Sequence, residues 1–187
     1  MHTEIPYIID VLKRGGVVLY PTDTIWGIGC DATNPEAIQK IKHIKQRDDR
    51  KALLVLCESI QSVKEYVCDF PEKAIDLEQT SEKPITIIYP QIKNIPNELL
   101  AEDGSLGIRI PRFDFCIDLL KAFQKPIVST SANISGTPPP FNYNQISKQI
   151  TQSVDYIVKD FHNYITPFSG SKIVKINTDQ SIDIIRK

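Results

Sequence analysis

Apolar residues in this chain fall into short runs with two different spacings. Ile5, Ile8, Ile9 and Leu12 recur at helical spacing and end at Gly15-Gly16, which predicts an N-terminal helix closed by a glycine cap. Val17–Tyr20 and Ala52–Leu56 are continuous apolar runs, as expected of strands buried on both faces. Between them, Ile25–Cys30 predicts a second strand with Gly27 and Gly29 on one face and Trp26 on the other, as core or cleft wall. Glycines so placed mark the close approach of a ligand or of another backbone, or else a bulge. Asn34-Pro35-Glu36 then starts a helix, with an N-cap, a proline where the missing N–H costs nothing and an acid at the positive end of the dipole. Ile38, Ile41 and Ile44 form its apolar face.

Further along, Ser59 and Asp69 are candidate N-caps of two short helices reaching about Val67 and Thr80. Pro84 and Pro90 bracket a strand, Ile85–Tyr89, and a polar connection with one helical turn leads to a strand at 106–110. Ile117, Leu119, Leu120 and Phe123 predict a helix, and Ile127-Val128 a short strand that a turn, Ser129–Asn133, leaves. A rigid proline link, Thr137–Pro140, precedes a helix over Tyr143–Ile150 and strands at Tyr156–Lys159, Ile173–Ile176 and Ile182–Arg186. About nine strands interleaved with five or six helices, some joined too closely for parallel crossovers, predict a three-layer α/β (α+β) protein with a mixed sheet. The expected organisation is one domain, residues 1–187.

Composition narrows the function classes. A formal net charge of -1 disfavours a dedicated nucleic-acid binder but leaves room for a local basic cleft. Cys30, Cys57, Cys68 and Cys116 show neither C-x-x-C nor metal spacing with His2, His43 or His162, so reduced and mostly buried thiols are expected. The apolar runs are too short to span a membrane, and the N-terminus lacks a signal pattern, which together predict a cytoplasmic protein.

Four features carry candidate chemistry. Lys40, Lys42, His43 and Lys45 crowd the end of the second helix, and Arg47, Arg50 and Lys51 continue the basic run to the mouth of a buried strand. Such a run is either a solvated face complementing the helix dipole or one wall of a cleft. Pro21-Thr22-Asp23-Thr24 sets hydroxyls and an acid at a strand end, and Ser129-Thr130-Ser131-Ala132-Asn133 offers hydroxyls, an amide and N–H groups to an anion. Arg109, inside a short apolar strand, needs an anionic partner, either a protein carboxylate or a substrate. Neither glycine-loop fingerprint for nucleotides is present, so point cations and hydroxyls would have to hold one.

The motifs YPTDTIWGIGCDA, KQRDDRKALLVL, KPITIIYP, LGIRIP and IVSTSANISG, in that order, resemble the YrdC/TsaC family of threonylcarbamoyl-adenylate synthases over about Gly15 to Arg186. The resemblance implies the YrdC-like fold, a twisted mixed sheet of about seven strands flanked by helices around a deep cationic cavity. It also implies a nucleotidyltransferase reaction. Threonine, carboxylated by bicarbonate or CO2, attacks the α-phosphorus of ATP to give threonylcarbamoyl-adenylate and pyrophosphate, with Mg2+ carried by the phosphates. Partner proteins would then transfer the group to tRNA, and direct tRNA binding is left open.

By the same resemblance, Lys45 and Arg47 act on the phosphates as catalytic residues, and Lys51, Thr86, Ser131, Asn133 and Arg186 contact ATP. Thr24, Arg109, Ser129 and Ser171 would surround threonine, Arg109 being able to serve a phosphate instead, while Ser131 and Asn133 lie nearest the metal. Asp48, Trp26 and Gly170-Ser171-Lys172 depart from the family pattern, which commonly has proline, tyrosine and P-S-T there. The chain reads as the short form, without a C-terminal extension domain. Two other readings stand beside the synthase: a module that binds RNA or nucleotide without turnover, and a divergent paralogue with another substrate. The carbamoyl-handling domain of a hydrogenase-maturation protein fits less well.

Overall fold

The N-terminal stripe forms α1 (Ile5–Lys13), which ends where Gly15 takes φ +73° and the Gly16 N–H bonds back to the Val11 carbonyl. The computed structural model describes residues 2–46, 53–166 and 170–187. α2 (Pro35–Lys45) starts as its sequence predicts, with the Asn34 side chain accepting from the Ala37 N–H at 3.0 Å. The other helices are α3 (Ile60–Lys64), α4 (Lys73–Thr80), α5 (Asp114–Phe123) and α6 (Lys148–Thr151).

Nine strands among the described residues build one mixed sheet, against the roughly seven that the resemblance implies. They are β1 (Val18–Tyr20), β2 (Gly27–Gly29), β3 (Leu54–Leu56), β4 (Ile85–Tyr89), β5 (Leu106–Arg109), β6 (Ile127–Ser131), β7 (Tyr156–Ile157), β8 (Lys172–Ile176) and β9 (Ile182–Arg186). Their order is β7-β1-β2-β6-β3-β5-β4-β8-β9, with parallel pairs β7/β1, β3/β5 and β4/β8 and the remaining neighbours antiparallel.

The inner strands are apolar on both faces because helices cover both, whereas the edge strand β9 is exposed along its length. Val18 and Tyr20 pack with Ile5, Ile8 and Leu12 of α1 and Phe115, Leu119 and Phe123 of α5. Leu19, between them, turns the other way, into the core that holds Ile38 and Ile41 of α2 with Ile28, Val55 and Val128. That alternation makes the three layers. Gly29 answers the question its position raised: a Cβ there would stand 2.3 Å from the Val128 carbonyl, so the glycine admits β6 against β2. All four cysteines are free, and Cys30, Cys57 and Cys116 are buried.

Three predicted elements are corrected. Asp69 caps no helix: α4 begins at Lys73, because Pro71 forces Phe70 out of helical conformation and the first turn hangs on the Pro71 and Glu72 carbonyls. The helix expected over Tyr143–Ile150 divides into a 3-10 turn, Tyr143–Gln145, and α6, separated at Ile146 and Ser147, both extended, with Ser147 capping the second piece. The strand at Ile127-Val128 extends to Ser131, since β3 pairs with it as far as Ser129 and β2 pairs with Thr130 and Ser131. Two of its three hydroxyl residues are thus set at cross-strand positions opposite Gly27 and Ile28.

Candidate active site

At the ends of β1, β2, β5 and β6, one small cleft gathers Thr24, Arg109, Ser129, Ser131, Ser171 and Arg186, six of the residues singled out in the sequence. Gly27 lines it without a side chain: a Cβ there would stand 3.2 Å from the Thr130 carbonyl and 3.4 Å from the Ser129 hydroxyl. The described residues enclose about 50 Å3, well below the roughly 300–1,000 Å3 of ordinary ligand pockets, and the deep cationic cavity implied by resemblance is not seen among them. Arg186 reaches across from β9, its Nε donating to the Ser171 carbonyl at 2.8 Å and its Nη2 lying 3.4 Å from the Ser171 hydroxyl.

The turn after β1 is wired through its hydroxyls. Thr22 Oγ1 donates to the Ile25 carbonyl at 2.8 Å and accepts from the Thr24 and Ile25 N–H groups. The Thr22 and Thr24 hydroxyls also lie 3.0 Å apart, and either could be the donor. Thr24 Oγ1 also accepts from Arg109 Nη1 at 2.8 Å.

Arg109, 4% exposed, has the carboxylate partner its burial required: Asp23 Oδ1 lies 3.2 Å from Nη1. Asp23 Oδ2 accepts from the Arg112 N–H at 2.9 Å. Yet the buried Nε of Arg109 has no hydrogen-bond partner, and its charge, with burial, pulls the Arg186 guanidinium below its ordinary value, burial contributing more. Two guanidinium groups facing a single carboxylate give the cleft surplus positive charge and a donor awaiting an acceptor. An anion is what such a site can take.

Thr86, opposite Arg109 across the β4/β5 pair, is buried and shares a 2.7 Å hydroxyl contact with Ser171. Lys45 is also buried, at 1% exposure, and its ammonium donates to the carbonyls of Ser131 (2.5 Å) and Asn133 (2.7 Å) and approaches Asn133 Oδ1 at 3.4 Å. The Asn133 amide N–H groups in turn hold the Thr137 and Ile134 carbonyls. The basic run therefore divides. Lys40 and His43 are exposed as a solvated face would be, while Lys42 and Lys45 are buried. Arg47 and Lys51, assigned to ATP by resemblance, lie outside the described residues, as do Asp48 and Arg50.

Sequence reasoning assigned no role to Asp23, Arg112 or Glu78. The acid stood within the quoted turn, but its partner is a main-chain N–H 89 residues away, which leaves no mark in side-chain pattern. Glu78 lies beside Arg112 at 3.9 Å, and burial pushes its carboxyl up to about 7, with Asp23 adding to the shift and Arg112 and Arg109 opposing it. A carboxyl raised in this way keeps its proton in the folded chain at a pH where the unfolded chain has released it. Stability is thus lost as pH rises from the ordinary carboxylate range through about 7. Glu78→Gln is expected to raise Tm by roughly 2–4 °C per kcal/mol recovered at pH 8 and to lose most of that gain at pH 5. Thermal denaturation at the two pH values checks this, and a gain independent of pH would contradict it.

A family model, Sua5/YciO/YrdC, described as "Telomere recombination", matches residues 10–187. A protein of Vibrio parahaemolyticus named threonylcarbamoyl-AMP synthase is 31% identical over 155 residues, covering 81% of this chain and 84% of its own. One of the same name from Acinetobacter baumannii is 30% identical over 187 residues, covering 96% and 97%. The crystal structure of P. abyssi Sua5 complexed with L-threonine superposes with a TM-score of 0.86 at 21% identity, which shows a shared fold. That match covers 98% of this chain and 53% of Sua5, so the present chain spans about half of the Sua5 length. Matched across nearly all of its length, and with its motif residues gathered at one sheet end, the chain belongs to the Sua5/YciO/YrdC family.

Proposed function

We propose that this chain is a threonylcarbamoyl-AMP synthase, a nucleotidyltransferase that acts in the cytoplasm. The observation that carries the proposal is the convergence of Arg109, with an unpartnered buried Nε, and the hydroxyls of Thr24, Ser129 and Ser131 on one cleft. The names of the relatives and the threonine bound by P. abyssi Sua5 point to the same substrate. No helix among the described residues is long and apolar enough to cross a membrane.

In the proposed reaction the threonine amine attacks CO2, supplied by bicarbonate, and loses a proton to give a carbamate. A carbamate oxygen then attacks the α-phosphorus of ATP, and the bond to the bridging oxygen breaks to release pyrophosphate. No protein nucleophile is required, so the protein's contribution is to position the reactants and offset growing negative charge. Arg109 takes the threonine carboxylate. Thr24, whose hydroxyl already accepts from Arg109, meets the substrate hydroxyl or amine, and Ser129 lies beside it. Arg186 and Ser171 close the cleft, with Thr86 behind Ser171 and towards the nucleotide.

The S-x-N turn, Ser131 and Asn133 with Lys45 beneath it, faces the phosphates, to which the family resemblance also assigns Arg47 and Lys51. Among the described residues no group of three or more His, Cys, Asp or Glu side chains is placed to hold a metal. A hydroxyl and an amide suit a Mg2+ ion that keeps most of its ligands on ATP and water, where it would neutralise phosphate charge. The labile product would pass to proteins that transfer the threonylcarbamoyl group to tRNA.

Purified protein given ATP and magnesium is expected to release pyrophosphate only when both L-threonine and bicarbonate are present, and much less with serine. Release without threonine, or ATP binding with no release at all, would count against the synthase and favour a nucleotide-binding module or a divergent paralogue.

A further inference from the structure

The Arg109 guanidinium is divided between protein and cleft. Its Nη1 donates to Thr24 Oγ1 at 2.8 Å and forms an ion pair with Asp23 Oδ1 at 3.2 Å, an oxygen that accepts no hydrogen bond. Its Nε is buried without a partner, and Nη2 makes no hydrogen bond to an acceptor among the described residues. Nε and Nη2 share one edge of the rigid guanidinium fork, the edge that grips a carboxylate side-on. What turns this edge outward is Asp23, which is itself fixed from the far side: Oδ2 takes the Arg112 N–H at 2.9 Å. Arg112 is pinned in turn, its side chain donating to the Ser81 carbonyl at 2.7 Å and the Glu78 carbonyl at 2.8 Å at the end of α4.

We propose that Asp23, anchored by the Arg112 main chain, is a positioning residue that turns the Nε/Nη2 edge of Arg109 toward the threonine carboxylate. The proposal rests on the threonine-binding function given above. Electrostatics alone predicts the opposite effect. Asp23 is an anion beside the cation that is to bind an anion, so removing its charge should tighten carboxylate binding. A positioning role predicts loosening.

Asp23→Asn separates the two. The amide keeps the shape but has a single acceptor atom: if its oxygen takes either the Arg112 N–H or Arg109, its NH2 group confronts the other donor. The expected result is threonine binding weakened by about tenfold, the worth of one charge-assisted hydrogen bond, with ATP binding changed less than about twofold. In an Arg109→Lys background, which lacks the fork, the same change should cost less than about twofold, since contacting residues couple. A second readout needs no substrate. In the 15N spectrum of the parent at low temperature, the fixed Arg109 guanidinium should give separate Nη–H signals, and these should merge in Asp23→Asn.

Threonine binding unchanged or tightened in Asp23→Asn, Nη–H signals that stay separate, or an equal loss of threonine and ATP affinity with a large fall in Tm would each overturn the proposal. Failure of the parent to bind threonine would instead refute the proposed function. The Arg109 signals would still decide whether Asp23 holds the guanidinium.

Discussion

Arg109→Met is expected to lower kcat/KM for threonine by on the order of a thousandfold, the upper end of what one preorganised donor group contributes. The residue is 4% exposed and is the only arginine of the described cleft that a carboxylate holds in place. Methionine fills the space of the stem but removes both free donors. It also strands Asp23, a buried carboxylate that would keep only the Arg112 N–H, and breaking a buried pair typically costs about 3–5 kcal/mol. Lost activity in this variant is therefore expected to come with lost stability. Arg109→Lys separates the two effects. Lysine keeps a cation beside Asp23, so Tm should stay within a few degrees of the parent, but it has no planar fork. Its threonine KM is expected to rise by on the order of a hundredfold, with ATP KM little changed. Threonine-dependent pyrophosphate release and thermal denaturation of both variants supply the measurements. Near-parental activity in Arg109→Lys would mean that a point charge suffices at this position.

How much of this was legible in the sequence depends on whether a residue's role is local. Asn34-Pro35-Glu36 is a local signal, and α2 begins there. Val17–Tyr20 and Ile85–Tyr89 are apolar at every position or nearly so, and each forms a strand covered on both faces, within one residue of its expected bounds. Elements misjudged were those in which a neighbour outweighed the local pattern. Asp69 has the chemistry of a cap, but Pro71 two residues later moves the helix start beyond its reach. Ser129, Thr130 and Ser131 have the composition of a turn, but Leu54 on one side and Gly27 and Ile28 on the other pair them into a strand.

The same division holds at the cleft. Thr24, Arg109, Ser129 and Ser131 were identifiable through their motifs, and the fold brings these distant segments to one place. Asp23 and Gly27 stood inside a quoted motif, yet what each contributes is a relation: a main-chain N–H at Arg112, and room for the Ser129 hydroxyl. Charge left two readings open. A lysine at helical spacing beside other cations suits a solvated face or a cleft wall, and Lys45 leaves the first because three oxygen atoms of one turn surround its ammonium.

That environment gives Lys45→Met the second largest expected effect. The apolar stem would be replaced almost atom for atom, but the Ser131 and Asn133 carbonyls would lose a buried donor, at about 1–3 kcal/mol for each group left unsatisfied. Relief of the cost of burying an ammonium offsets part of this, so Tm should fall by only a few degrees. Activity should fall much further. The lysine ties the last turn of α2 to the S-x-N turn, which is held there a second time by the Ser135 N–H on the Lys45 carbonyl. Without the side-chain tie, Ser131 and Asn133 lose their fixed positions, and a misplacement of about 1 Å in a positioning group can cost about a hundredfold. Turnover is expected to fall by about that factor and ATP KM to rise, while threonine KM stays near its parental value. An action through the turn further requires that Lys45→Met add little once Asn133→Ala has already loosened it. Full additivity of the two substitutions, measured by pyrophosphate release, would place the ammonium on the substrate phosphates independently of the turn.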